Sequence, residues 1–384
     1  MNNHYDYIIT GAGCAGLSLL QRILLEPTLS SKNILVIDEK PKIANDRTWC
    51  FWEKENGLFE DIIHHSYNEI AFASNHFSKR ILLDNYRYKM IQGIDFYNTV
   101  MHHAKGFANV EFKYEKVKKL TTENELAIVE TESNTYKANY IFNSILFPDT
   151  ININSKKNYY LLQHFKGWVI ETPNAQFNPS IATLMDFTVS QKEGTTFMYT
   201  MPTSATTALV EYTLFTKNLL QQSDYENALK EYIEEDLKIS NYTIQHEEFG
   251  IIPMTNHYFP LQDGRIIYIG IAGGQAKGSS GYAFQFIQKR TKKIIANLIS
   301  KNHPFCNQSF NDKKFRFFDS VLLQVLHDKK MNGDEIFANI FKKNAIKSVL
   351  RFLDNESNLL EDLKIMSSVP MKFFLPAALK QLFK

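Results

Sequence analysis

Residues 5–25 read YDYIITGAGCAGLSLLQRILL and set Gly11, Gly13 and Gly16 in a GxGxxG spacing. The residues just before the glycines, DYIIT, predict a buried strand. Those after them, CAGLSLLQRILL, predict a helix, because Leu17, Leu20 and Leu24 recur at helical spacing and Pro27 stops the run. NILVID (33–38) predicts a second buried strand. Strand, glycine turn, helix and strand make a dinucleotide-binding βαβ unit. In it Gly11 permits the tight turn, Gly13 lets a pyrophosphate approach the backbone, and Gly16 lets helix and strand pack closely. The helix N-terminus then faces the phosphates. Asp38 ends the second strand about 20 residues past the last glycine, where an acid holds an adenosine ribose. The competing reading is a glycine-rich turn with no ligand; the strand–helix–strand context favours the nucleotide.

The rest of the composition narrows the class. A chain of 384 residues can bury a large core and divide into two lobes. A net charge of +2 gives no basic field for nucleic acid. Cys14, Cys50 and Cys306 share no close spacing, which fits neither a disulfide framework nor a zinc site and suits a reducing cytosol. The paired histidines (His64–His65, His102–His103) have no metal partner at ligand spacing and read as surface positions. No signal peptide is legible, and no apolar run reaches the roughly 18–20 residues of a membrane span. The 29 Phe and 19 Tyr suit either a large apolar cavity or simply an aromatic-rich core.

The order of elements then separates FAD from NAD. An NAD dehydrogenase continues with more short βα units. This chain instead gives a short helix near 57–64, strands near 69–73 and 80–84, a helix over 92–106, and strand-like runs VEFKYEKV, LAIVET and NYIFNSI. More strands follow near 159–172, 181–188, 195–201 and 205–215, then a polar helix over 224–238. The pattern predicts an α/β flavoprotein with a Rossmann-type FAD-binding domain, similar to glutathione reductase and the aromatic hydroxylases. The FAD-binding domain takes 1–65, about 105–150 and 255–300. An inserted β-sheet substrate domain takes about 66–104 and 151–254, and 301–384 form a helical C-terminal region. Such flavoproteins return to the cofactor late, through a strand ending in Gly-Asp-Ala before a long helix. DGRIIYIGIAGG (263–274) stands in that place, but Ile271 follows Gly270 where the Asp is usual, so the ribityl contact there must differ.

Five further motifs carry a more specific resemblance. They are NDRTWCFW (45–52), FMYTMP (197–202), LVEYT (209–213), EFGIIPMT (248–255) and GIAGGQAKGSSGYAF (270–284). In this order, behind the glycine fingerprint, they resemble the lycopene β-cyclase family up to about residue 300. The last motif departs at Gly278 and Ser280, where Pro and Thr are frequent. The resemblance implies a redox-neutral reaction. An acid protonates C2 of a terminal alkene of lycopene, the C5=C6 bond attacks the C1 cation, and loss of the C6 proton leaves a β-ring. It also implies FAD in its reduced form, with NAD(P)H as reductant.

The same resemblance places the family's key glutamate on Glu211. Glu211 sits in TTALVEYTLF, a strand of apolar and β-branched residues, where a glutamate is unusual unless paired or functional. An apolar pocket would keep it protonated as an acid. The alternative is a solvated carboxylate on an edge strand. Arg47 could pair with flavin phosphates or with reduced flavin, and Trp49 could stabilise a carbocation without quenching it. Cys50 and Phe51 read as loop packing. Gly270 is a candidate cofactor contact, Gly273 and Gly274 would let backbone N–H groups approach the flavin ring, and Lys277 is either a cofactor contact or a solvated turn charge.

The tail VPMKFFLPAALKQLFK sets Met371, Phe374, Leu375, Ala378, Leu379, Leu382 and Phe383 against Lys372, Lys380 and Lys384. That suits an interfacial helix on a membrane surface, or a helix packed on its own protein. A cytoplasmic enzyme held peripherally at the inner face of the membrane is the corresponding expectation. Two rival functions remain at this level. One is a flavin monooxygenase or alkene reductase of the same fold, and the other is a non-catalytic carotenoid-binding protein.

Overall fold

The computed structural model describes residues 4–151 and 158–383. The opening unit forms as its sequence predicts: β1 (His4–Thr10), α1 (Cys14–Leu25) and β2 (Ile34–Asp38). Further strands follow: β3 (Thr48–Glu53), β4 (His65–Tyr67), β5 (Glu69–Ser74), β6 (Phe77–Leu82) and β7 (Arg87–Gln92). After α2 (Gly93–Ala104) come β8 (Val110–Tyr114), β9 (Val117–Glu123), β10 (Leu126–Thr131) and β11 (Thr135–Asn143). The second half opens with β12 (Tyr160–Glu171), β13 (Ile181–Asp186), β14 (Thr195–Pro202) and β15 (Thr207–Thr216). Then follow α3 (Gln222–Glu231), β16 (Thr243–Thr255), β17 (Gln262–Asp263) and β18 (Ile266–Tyr268). The chain finishes in helices: α4 (Phe284–Lys301), α5 (Phe310–His327), α6 (Gly333–Lys343), α7 (Ile346–Leu353), α8 (Leu359–Ser368) and α9 (Met371–Leu382).

Three sheets organise these elements. Strands β18, β11, β1, β2 and β8 pair in parallel in that order, and the β9–β10 hairpin adds to β11. Their central residues, Ile8–Ile9, Ile34–Ile37 and Ile141–Phe142, are apolar and buried, as a sheet covered on both faces requires. Helices α1, α2 and α4 cover one face, through a core that includes Leu17, Leu20, Phe96, Val100 and Ile294. The second sheet runs β16–β12–β15–β14–β13–β5–β6. Its central strands β14 and β15 are buried on both faces. Leu209 and Phe215 face a core shared with α5, α6, α7 and α8, whereas Val210, Tyr212 and Leu214 face α3. This alternation is the period of two that a strand imposes.

A third sheet, β3–β7–β4, lies between the other two. Its strands are not expected from the sequence, where Cys50 and Phe51 read as loop packing and 87–91 carry no predicted element. TWCFWE is an aromatic run with no alternation, so only its pairing with β7 fixes it as a strand. The sequence reading also gives all of 66–104 to the substrate domain. Strands β5 and β6 do join the second sheet, but α2 packs on α1 in the nucleotide-binding lobe. The polar helix expected to reach residue 238 ends its α-helical part at Glu231 and passes into a wider π turn.

Among the described residues no helix is long and apolar enough to cross a membrane. Helix α9 has two faces. Phe373, Phe374, Ala377 and Ala378 pack with Val321 and Val325 of α5. Met371, Leu375, Leu379, Leu382 and Phe383 are exposed. Lys384 lies outside the described residues.

Candidate active site

The three fingerprint glycines meet three different demands. Gly11 has φ +95°, and a Cβ there would lie 2.2 Å from Ser144 Oγ. At Gly16 a Cβ would lie 2.0 Å from the Gly11 carbonyl oxygen, so only glycine lets α1 pack this closely on β1. A Cβ on Gly13 would meet nothing within 4 Å, which leaves open space in front of the backbone. No side chain caps the N-terminus of α1. Asp38 closes the turn from the side: its Oδ2 accepts from the Ala12 N–H at 2.6 Å, and Lys42 lies 3.3 Å from its Oδ1.

From Gly13 a cleft of about 380 Å³ runs across the molecule to the second sheet. Gly13, Cys14, Ala15, Ser144, Gly270 and Ile271 bound one end. Glu211, Glu248, Tyr199, Met201 and Leu209 bound the other. Arg47, Trp49 and Cys50 come from β3 and the turn before it, and Tyr282 and Phe284 close the side.

The acid end is a product of strand register. Gly167 of β12 pairs with Glu211 of β15 on one side and Glu248 of β16 on the other, and Tyr199 of β14 pairs with Glu211. Residues directly opposite in neighbouring strands point to the same face. Tyr199, Glu211, Gly167 and Glu248 therefore form one row facing the cleft, and the missing side chain of Gly167 leaves room for the carboxyl groups to meet. A Cβ there would lie 3.0 Å from Leu209 Cδ1 and 3.1 Å from Glu248 Cγ. Both glutamates are buried and share a hydrogen bond. Thr213 Oγ1 donates to Glu211 Oε1 at 2.8 Å, and Thr48 Oγ1 donates to Glu248 Oε2 at 2.9 Å.

Two buried carboxyl groups in contact cannot both ionise cheaply. Burial first, and then the charge of Glu248, push the Glu211 carboxyl well above the usual carboxylate range. Burial also raises Glu248, but the Thr48 and Glu211 hydrogen bonds and the charges of His246 and Arg47 oppose the shift. The proton belongs on Glu211. Burial likewise holds the Tyr88 and Tyr199 phenols well above their ordinary value, so both rings stay neutral.

The other expected site residues divide into two groups. Arg47 borders the cleft, exposed, with Nη1 donating to the Phe249 carbonyl at 3.2 Å. Trp49 borders it too and packs edge-on against Phe96 at 5.1 Å and Tyr97 at 5.8 Å. Cys50, read as mere packing, borders the cleft beside Met201. Gly270, with φ +61°, lies against Ala15 at the nucleotide end. Gly273, Gly274 and Lys277 are elsewhere: they line a second cavity. Gly273 is required by its own turn, since a Cβ would lie 2.5 Å from the Tyr268 carbonyl oxygen. Lys277 is buried and paired with Asp319 of α5 at 2.8 Å. Glu248 and Gly167 are the residues that sequence reasoning missed. The glutamate stood inside a quoted motif, but nothing local marks its strand as the neighbour but one of Glu211.

These features fit a flavin dinucleotide: an uncapped helix, open space at Gly13, and an acid at the end of β2. They also include an orphaned polar atom in the cleft. Gln163 Oε1 is buried there without a hydrogen-bond partner among the described residues.

Comparison with known proteins agrees with this geometry. The family model described as "Lycopene cyclase protein" matches residues 6–379. The chain belongs to the lycopene cyclase family. The lycopene beta-cyclase of Pantoea ananas is 26% identical over 263 residues, which span 66% of this chain and 64% of that relative's length. A flavoprotein/dehydrogenase from Cytophaga hutchinsonii superposes with a TM-score of 0.61 at 11% identity, covering 99% of both chains. The p-nitrophenol 4-monooxygenase PnpA of Pseudomonas putida gives 0.60 at 11% identity, covering 99% of this chain and 98% of its own. At such identities the likeness concerns the fold, which in this lycopene cyclase family member is that of the FAD-binding flavoproteins.

Proposed function

We propose that the protein closes β-rings on the ends of lycopene, with reduced FAD bound at the glycine turn and no net redox change. The observation that carries this reading is the buried Glu211–Glu248 pair, with its proton on Glu211, opening into the cleft that begins at Gly13. A carboxylic acid kept neutral at ordinary pH can protonate an alkene. Glu211 delivers the proton to C2 of the terminal alkene, and the C5=C6 bond closes on C1. Glu248, kept nearer its anion by Thr48 and Arg47, receives the hydrogen bond that orients the Glu211 proton. The faces of Trp49, Tyr88 and Tyr199 stabilise the ring cation, and the neutral phenols do not trap it as phenolates would. Bound reduced FAD would supply an electron-rich ring and negative charge beside the cation. The C6 proton then passes to the carboxylate pair that Glu211 has left one proton short, which gives the β-ring and restores the acid.

FAD would be held by the N–H groups at the start of α1, by open backbone at Gly13 and by Asp38. NAD(P)H would serve as its reductant. The exposed face of α9, with Lys372 and Lys380 on the same helix, supports peripheral attachment to the inner face of the cell membrane, where a carotenoid dissolves. Expression in lycopene-producing bacteria, followed by pigment chromatography, tests the reading: β-carotene or γ-carotene is expected. Accumulated unchanged lycopene alongside a folded flavoprotein would count against it. Loss of one NAD(P)H per product molecule would favour the monooxygenase or reductase reading.

A further inference from the structure

The cavity that receives Gly273, Gly274 and Lys277 lies apart from the residues of the acid pair and the glycine turn. It measures about 400 Å³, between the 255–261 loop, the outer turns of α4 and the start of α5. Five cations line it: Lys277, Lys289, Arg290, Lys293 and Arg316. Four acids also line it: Asp312, Asp319, Asp354 and Glu356. Two of the cations are neutralised, Lys277 by Asp319 and Lys289 by Glu356. Asp312, whose charge reaches Arg290, caps the first turn of α5 by accepting from the Ser309 N–H and Oγ.

Arg290, Lys293 and Arg316 form no ion pair among the described residues. Arg290 is the buried one of the three. It is 8% exposed, its Nη2 donates to the Leu261 carbonyl at 3.1 Å, and its Nε has no hydrogen-bond partner among the described residues. A buried guanidinium with no ion-pair contact and with an unused N–H is costly unless something anionic joins it. Its planar fork matches phosphate oxygens. Arg316 stands over the Tyr258 ring at 5.0 Å, and Tyr258 is half exposed, so an aromatic shelf adjoins the cations.

We infer that this second cavity is a binding site for a phosphate-bearing ligand, with Arg290 as its buried anchor, Arg316 and Lys293 at its mouth, and the Tyr258 ring beside it as a platform for a base. The site is independent of the cyclisation chemistry, because no residue of the acid pair or the glycine turn takes part.

The full chain, purified with FAD bound at the glycine turn and freed of unbound FAD, is titrated calorimetrically with pyrophosphate and with ADP. Saturable binding of both is expected, weakening as salt is raised. Arg290→Gln should weaken it about ten- to a hundredfold, the loss of a charged hydrogen bond. Because Arg290 is buried, the exposed-side variants Arg316→Gln and Lys293→Gln provide a second measurement that leaves the core intact; each should weaken pyrophosphate binding several-fold. Flavin content and pigment formation in the mouth variants report separately on the active site. A third arm uses vesicles of phosphatidylglycerol in phosphatidylcholine. Displacement of the vesicles by pyrophosphate, lost in Arg316→Gln, would give a lipid headgroup as the source of the phosphate; ADP binding tighter than pyrophosphate would give a nucleotide. No binding of either soluble probe at millimolar concentration, or equal binding by the wild type and all three variants, overturns the site.

Discussion

Glu211 and Glu248 lie on strands that do not touch, yet their carboxyl groups meet, because the strand between them carries Gly167 at the shared register position. The acid is thus made by two carboxyl side chains and one absent side chain. Changing any of the three should alter the proton in a different way.

Glu211→Gln keeps size and hydrogen-bonding shape but has no acidic proton. Loss of ring formation by about 10²–10⁴ is expected, the usual share of a general acid. Flavin content should be unchanged. Ring formation within a few-fold of wild type would place the acid elsewhere in the cleft.

The same variant should change the dependence of stability on pH. Folding raises the Glu211 carboxyl above its unfolded value, so the native state binds more protons than the unfolded chain. Stability must fall as pH rises from the ordinary carboxyl range toward the raised value. Denaturant midpoints at pH 5 and pH 8 should therefore draw together in Glu211→Gln relative to wild type.

Glu248→Gln removes the charge that helps to hold Glu211 protonated. Its signature is in the pH profile: the alkaline limb of activity should move to lower pH, with a smaller loss at the optimum than in Glu211→Gln. A profile of unchanged shape would reduce Glu248 to a packing role.

Gly167→Val tests the space itself. Its Cβ alone would press on Leu209 and Glu248, and the two methyls reach further. Ring formation should fall at least about tenfold while flavin stays bound, since an angstrom of misplacement is costly in catalysis. Gly167→Ala should fall between Val and wild type.

The fingerprint glycines predict opposite failures. Gly13→Val faces open space, so the protein should fold and elute without flavin. Gly16→Val would drive a side chain into the Gly11 carbonyl, so little soluble folded protein is expected. Flavin absorbance and circular dichroism on the two variants separate these outcomes.

Much of this was legible in the sequence because it is local. Glycine spacing, helix periodicity and the acid after β2 are neighbours along the chain, and each glycine acts within its own turn. Glu211 was legible as an odd residue in an apolar strand, and its burial on an interior strand removes the reading of a solvated carboxylate on an edge strand. Glu248 and Gly167 were not legible as partners, since only the register of three strands from distant segments brings them together. Lys277 misled for the converse reason: its motif adjoins the flavin-type loop in sequence, but the chain turns at Gly274 (φ +71°) and carries the lysine to α5.

Strand β3 belongs to neither large sheet. It nevertheless grips both lobes: Thr48 bonds Glu248 of the second sheet, and Trp49 packs on Phe96 and Tyr97 of α2. Its partner β7 runs directly into α2. Six residues thus splint the two halves across their seam. The consequence concerns cooperativity rather than chemistry. Neither half has a complete boundary without β3, so heating should melt the molecule in one transition, and neither lobe expressed alone should keep its tertiary packing.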